Sequence, residues 1–264
     1  MNVDGHEDPP DVDAEPGDED VAWFLNTLGK VVQPQYDMAR KVRSTITPAW
    51  RRVTGGEQRW QVTVAIVAAI VVQLLLPRRL VPGHTLVLPL LEGGVLVGLS
   101  IANPSHITKS SPALRAAGLT LIALLSFGNT WSVFRLINGI LHGVEGKQPT
   151  PLLFTGGAIW LGNVLVFALW YWEFDRGGPA VRAQGTDPYP DFLFVQMQTP
   201  EVAPPDWEPW FLDYLYLSFT NATAFSPPDT LPLSRWAKVV MMLQSGVSLM
   251  TVALVIARAV NILG

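Results

Sequence analysis

The chain has 264 residues, 49% hydrophobic and 15% charged, with a mean hydropathy of +0.27 and a formal net charge of −4. Soluble domains carry about 25% charged residues, so the deficit argues against an ordinary aqueous globule and fits helices facing lipid. Cysteine is absent and the four histidines (His6, His84, His106, His142) are scattered. Disulfides and thiolate chemistry are thereby excluded, and no His-based metal site is expected.

Taken in chain order, residues 1–20 hold nine Asp/Glu and no Lys or Arg, and several prolines. Such a segment cannot bury a core and reads as a disordered acidic tail. No early apolar run is present, so no signal peptide is expected. Residues 21–58 alternate apolar side chains (Trp23, Phe24, Leu25, Leu28) with basic ones (Arg40, Lys41, Arg43, Arg51, Arg52). That pattern predicts a basic amphipathic region at the membrane interface, residues 30–58 meeting anionic lipid headgroups.

Five apolar stretches follow, at about 62–76, 86–102, 116–141, 152–172 and 236–262. They predict an all-α transmembrane domain over 59–264, in which the first span is short and the third long enough to tilt. Between the last two spans lie a Pro-rich acidic segment, 173–208, and a short aromatic stretch, 209–225. The bundle has five spans if 209–225 dips into the membrane and returns, and six if it crosses. Counting Lys and Arg places the N-terminus and the 173–208 segment in the cytoplasm of a multi-pass inner or plasma membrane protein.

Polar residues within the spans are candidates for function. Glu92 lies six residues into the second span and Arg135 six residues from the end of the third. Both are therefore about 9 Å from the same interface. The expected contact is a Glu92–Arg135 ion pair, or Glu92 with Asn138, offsetting an insertion cost of about 2.5 to 3.5 kcal/mol. Gly94 and Gly98 predict close helix packing within the bundle; Asn129, Asn163 and Gln244 are candidates for interhelical hydrogen bonds. Trp170, Tyr171 and Trp172 read as an interfacial belt, with Asp175–Arg176 a surface charge pattern beside it.

The C-terminal stretch has the order of a pore module: a span, a short aromatic helix, a turn rich in hydroxyls, then another span. Thr220, Asn221, Thr223 and Ser226 would supply hydroxyls and an amide, with Asp229 closing the turn. This order weakly resembles the two-span pore module of potassium channels. The filter positions counted back from Asp229 are Ala224, Phe225, Ser226, Pro227 and Pro228, without the family's two glycines and tyrosine. Proline fixes φ and removes a donor, which argues against a potassium-selective carbonyl cage. A closer resemblance covers residues 60–264, to a bacterial family of integral membrane proteins known as a domain of unknown function. It rests on the run from Asp213 to Thr220 (DYLYLSFT), the Ala-Thr-Ala-Phe turn reaching Asp229, the ending Arg258-Ala-Val-Asn-Ile, and Pro190-Asp-Phe-Leu-Phe with Gln196-Met197. It implies membrane location and no established activity.

No Cys–His pair, no Gly-x-Ser-x-Gly and no phosphate-binding glycine loop is present, so neither an enzyme nor a cofactor is expected. The first expectation is a homo-oligomer with pore-like ion permeation or transport through the C-terminal module, partnered by the lipid bilayer and not by nucleic acid. The alternative is a non-transporting structural or partner-binding membrane protein.

Overall fold

The structure is a computed structural model that describes residues 48–102, 107, 111–145, 148–223 and 229–263. The acidic tail, residues 21–47 of the basic region, and Ser226 with its neighbours Ala224–Pro228 lie outside the described residues.

Among the described residues five long helices carry the fold: α1 (Arg59–Leu75), α2 (Val87–Ala102), α3 (Pro112–Leu141), α4 (Pro149–Phe174) and, near the C-terminus, α8 (Arg235–Leu263). Between α4 and α8 come α5 (Pro179–Gln184), β1 (Phe192–Leu193), α6 (Val195–Gln198), α7 (Phe211–Thr223) and β2 (Leu231–Pro232). Local chemistry sets several of these limits. Ser111 caps α3 by accepting from the Leu114 N–H at 3.2 Å, with Pro112 in the first turn where its missing donor costs nothing. Helix α1 stops just before Pro77, because the residue preceding a proline is pushed to extended backbone. At the end of α4 the chain turns sharply. Arg176 takes φ +50° and Gly178 φ +100°, where a Cβ would stand 2.9 Å from the Glu173 carbonyl oxygen. Glycine is the residue that position tolerates.

Among the described residues, three helices are long and apolar enough to cross a membrane: α3, α4 with its continuation to Gln184, and α8. Helices α1 and α2 are apolar but only 17 and 16 residues long. At 1.5 Å per residue they reach about 24 to 26 Å, less than a hydrocarbon core of about 30 Å.

Two apolar clusters hold the helices together. One joins Ala65 and Ala69 of α1, Leu121 and Leu125 of α3 and Leu169 of α4 to Tyr214 and Leu217 of α7. The other, toward the opposite end, joins Leu76, Leu136, Ile159 and Val255. Close approach uses glycines, but not the expected ones. A Cβ on Gly156 would meet the Val255 methyls at 2.8 Å, and one on Gly128 would meet Leu88 and Gln73 at 3.0 and 3.1 Å. At Gly94 and Gly98 nothing lies within 4 Å, so that pair makes no tight packing contact inside the bundle.

Residues 48–58 are the described part of the basic region. Instead of lying on the surface as an amphipathic helix, they are tied into the protein. Trp50 and Glu57 are buried, and the Thr54 N–H donates to the Ala183 carbonyl at 2.9 Å.

Candidate functional site

The segment Phe211–Pro232 enters and leaves at the same end of the bundle. Its start is held by Tyr214, whose hydroxyl donates to Asp175 at 2.6 Å, just past the end of α4. Its return is fixed by β2, which pairs antiparallel with β1 in the register Phe192↔Pro232. Trp236, opening α8, donates to Asp191 at 2.8 Å beside the same strand. The C-terminal end of α7 is far from that end. The Ala222 carbonyl accepts from Ser248 at 2.6 Å, thirteen residues into α8 and so about 20 Å from its start. Asp229 is already back beside Tyr216, whose hydroxyl donates to it at 3.4 Å.

A helix that ends inside a protein must find donors for its last carbonyls. Here α8 provides them. Ser248 donates to Ala222, and Ser245 is 3.1 Å from both the carbonyl and the side-chain oxygen of Asn221. One turn higher, Gln244 is fully buried and bonded on every side. Its amide oxygen accepts from Tyr171 at 2.6 Å and from Asn221 at 2.7 Å. Its amide nitrogen donates to the carbonyl and hydroxyl of Ser218 at 3.0 and 2.6 Å, and Ser218 donates onward to Val164 of α4 at 2.7 Å. Helices α4, α7 and α8 are thus joined by one continuous set of polar contacts.

Of the polar candidates in the expected turn, Thr220, Asn221 and Thr223 are helical and committed. Thr220 donates to the Tyr216 carbonyl at 2.9 Å and Thr223 to the Thr220 carbonyl at 2.8 Å, both within α7. Asn221 spends its amide nitrogen on Gln244 and on the Met241 carbonyl at 3.0 Å. The short helix itself is Phe211–Thr223, inside the expected 209–225.

The expected Glu92–Arg135 pair is not formed. Glu92 is fully buried and accepts from the Gln73 amide of α1 at 3.1 Å. Arg135 is exposed and donates to the Arg79 carbonyl at 3.2 Å, and the second carboxylate oxygen of Glu92 has no partner among the described residues, so Asn138 does not meet it either. Equal depth from one interface does not place two side chains on facing sides of their helices. Of the proposed interhelical amides, Gln244 does bridge helices, whereas both amide atoms of Asn163 are buried without a partner among the described residues.

Sequence reading missed the charged cluster at the entry of α7. Asp175 and Arg176 are 0% and 2% exposed, not a surface pattern. Asp175 accepts from Tyr214 and from the N–H groups of Asp191 and Phe192 at 2.9 and 3.3 Å. Arg182 reaches Glu57 at 2.6 Å and donates to the carbonyls of Trp172 and Asp175. It also lies 5.2 Å from the Tyr214 ring centroid, a cation–π contact. Desolvating these charges is costly, and each is offset by a partner. The result anchors the start of α7 to the end of α4. The signal available was the crowding of opposite charges in 173–191 beside Trp and Tyr; the partners Glu57 and Tyr214 are distant in sequence.

A cavity of about 430 Å³ opens at this same end between α1, α3 and α4, with Pro179–Val181 over it. In comparisons with known proteins the chain matches no family model, no curated protein and no solved structure.

Proposed function

We propose that the chain is a five-span membrane protein whose segment 211–232 is re-entrant, and that in a homo-oligomer this segment lines a route for ions. The observation carrying the reading is that α7 enters and β2 returns at one end of the bundle, while the tip of α7 finds its hydrogen bonds in serines of α8. Backbone that leaves helix at bilayer depth is tolerated where protein shelters it or a cavity wets it. The exposed edge of α7 carries Leu212, Tyr216 and Phe219, with Asp229 beside Tyr216. That edge is where copies of the chain would meet. In this reading α1 and α2 cross a thinned or locally adapted bilayer, since mismatch of a few Å costs fractions of a kcal/mol per Å. Purified protein in liposomes tests it. A cation gradient should dissipate, and Asp229→Asn should slow the flux; no flux under any gradient, from protein that stays monomeric, refutes the reading.

A second reading, a non-transporting partner-binding protein, is favoured by the commitment of Asn221 to contacts within its own protomer. Deleting residues 1–47 should then abolish partner recovery and leave the bundle folded. The truncation stops at 47 because Trp50 and Glu57 belong to the folded body.

A further inference from the structure

The cavity between α1, α3 and α4 is polar at one end and apolar at the other. Arg59, Ser111, Arg115 and Glu173 line it near the helix termini, where Gly177 and Gly178 turn the chain. Ile66, Leu121, Ile122 and Leu169 line it deeper in. Ile66 is seven residues beyond Arg59 and Ile122 seven beyond Arg115, so the apolar part lies about 10 Å further along the helix axes. The polarity therefore runs parallel to the helices, as headgroup and chain do in a lipid leaflet. The volume of about 430 Å³ is that of a small-molecule site.

Glu173 decides what the polar end would take. It is 7% exposed and lines the cavity, yet its carboxylate accepts no hydrogen bond from any described residue. Arg115 and Arg182 act on it only through space, outside ion-pair distance. A buried carboxylate without donors is costly, and a ligand ammonium would supply three. Arg59 and Arg115, on the walls beside it, complement a phosphate. The cavity thus presents an acceptor for an amine and cations for a phosphate above an apolar slot. We infer that it holds a phospholipid with a primary-amine headgroup, its ammonium on Glu173, its phosphate toward Arg59 and Arg115, and one acyl chain along Ile66 and Leu121. A quaternary ammonium has no N–H to donate, and a glycerol headgroup brings no positive charge.

The test uses the full chain, purified in detergent and stripped of lipid, then offered phosphatidylethanolamine, phosphatidylcholine or phosphatidylglycerol with identical chains. Retention is read by native mass spectrometry, and thermal stabilisation in parallel. The amine lipid should be retained about tenfold better than the other two, the scale of one charge-assisted hydrogen bond. Glu173→Gln should remove that preference, and Arg115→Gln should weaken all three lipids. Gly118 lines the cavity with nothing within 4 Å of an added Cβ, so Gly118→Leu should fold and exclude lipid by bulk. Should Glu173→Gln fail to fold, the lipid preference of the unmutated protein and the Gly118→Leu loss still decide. Equal retention of the three lipids, preference for the glycerol lipid, no retention, or a preference that survives Glu173→Gln would overturn the assignment. Free O-phosphoethanolamine binding as tightly as the lipid would also overturn it, in favour of a soluble amine phosphate. None of these readouts depends on ion flux.

Discussion

Replacing Gln244 with leucine tests whether the polar contacts at the centre of the C-terminal hairpin hold it together. Leucine is close to glutamine in volume, so no large cavity forms and the amide is what is lost. Four hydrogen bonds go: from Tyr171, from Asn221, and to the carbonyl and hydroxyl of Ser218. At about 0.6 kcal/mol for an average bond between membrane helices, four amount to roughly 2.4 kcal/mol. Buried groups left without partners push the loss toward about 4 kcal/mol. Unfolding in mixed micelles, followed by tryptophan fluorescence, measures it. Thr251→Val is the control, because Thr251 donates only to Val247 of its own helix, and it should cost less than about 0.5 kcal/mol. Asn221→Ala combined with Gln244→Leu should be less damaging than the sum of the two by at least about 0.5 kcal/mol, since they share a bond. A loss below about 1 kcal/mol for Gln244→Leu, or strict additivity of the pair, would refute the idea that this contact set fixes α7 against α8.

Arg182→Met should destabilise by about 3 to 5 kcal/mol, because it strands the buried Glu57 carboxylate; adding Glu57→Gln should restore part of the loss in thermal unfolding. Gly156→Ala should cost about 1 to 3 kcal/mol through overpacking against Val255, and Val255→Ala should relieve it, whereas Gly98→Ala should be neutral in the same assay. Glu208, outside the long helices, has its carboxyl pushed above the usual range by burial and by the charge of Glu57. Its charge therefore opposes folding above the raised value, and the penalty vanishes below the ordinary carboxylate range. Glu208→Gln should raise the melting temperature at pH 8 and leave it unchanged at pH 4; an equal effect at both pH values would contradict this.

The long apolar helices were legible because their signal is one-dimensional. Runs of apolar residues at 116–141, 152–172 and 236–262 became α3, α4 and α8 with ends displaced by a few residues, and Ser111-Pro112 marks a start that any reader of capping rules finds. The short helix before the last span was visible in its aromatic spacing, and Gln244 stood out as an amide in an apolar run. Its companions Ser245 and Ser248 follow at helical spacing and could have been read as one polar stripe.

Which polar groups meet was decided only by the tertiary structure. Glu92 and Arg135 have matching depths but face different neighbours, so Glu92 settles on Gln73 and Arg135 on a backbone carbonyl. Asp175 and Arg176 resemble surface charges in the chain, yet Tyr214, Trp50 and the strand at Phe192 close over them from 17 to more than 100 residues away. Hydropathy along a chain reports how deeply a segment is desolvated, and nothing about azimuth around a helix axis. Charge pairing, the close glycine contacts and the return of the chain from α7 to β2 all depend on azimuth, which is set when helices pack.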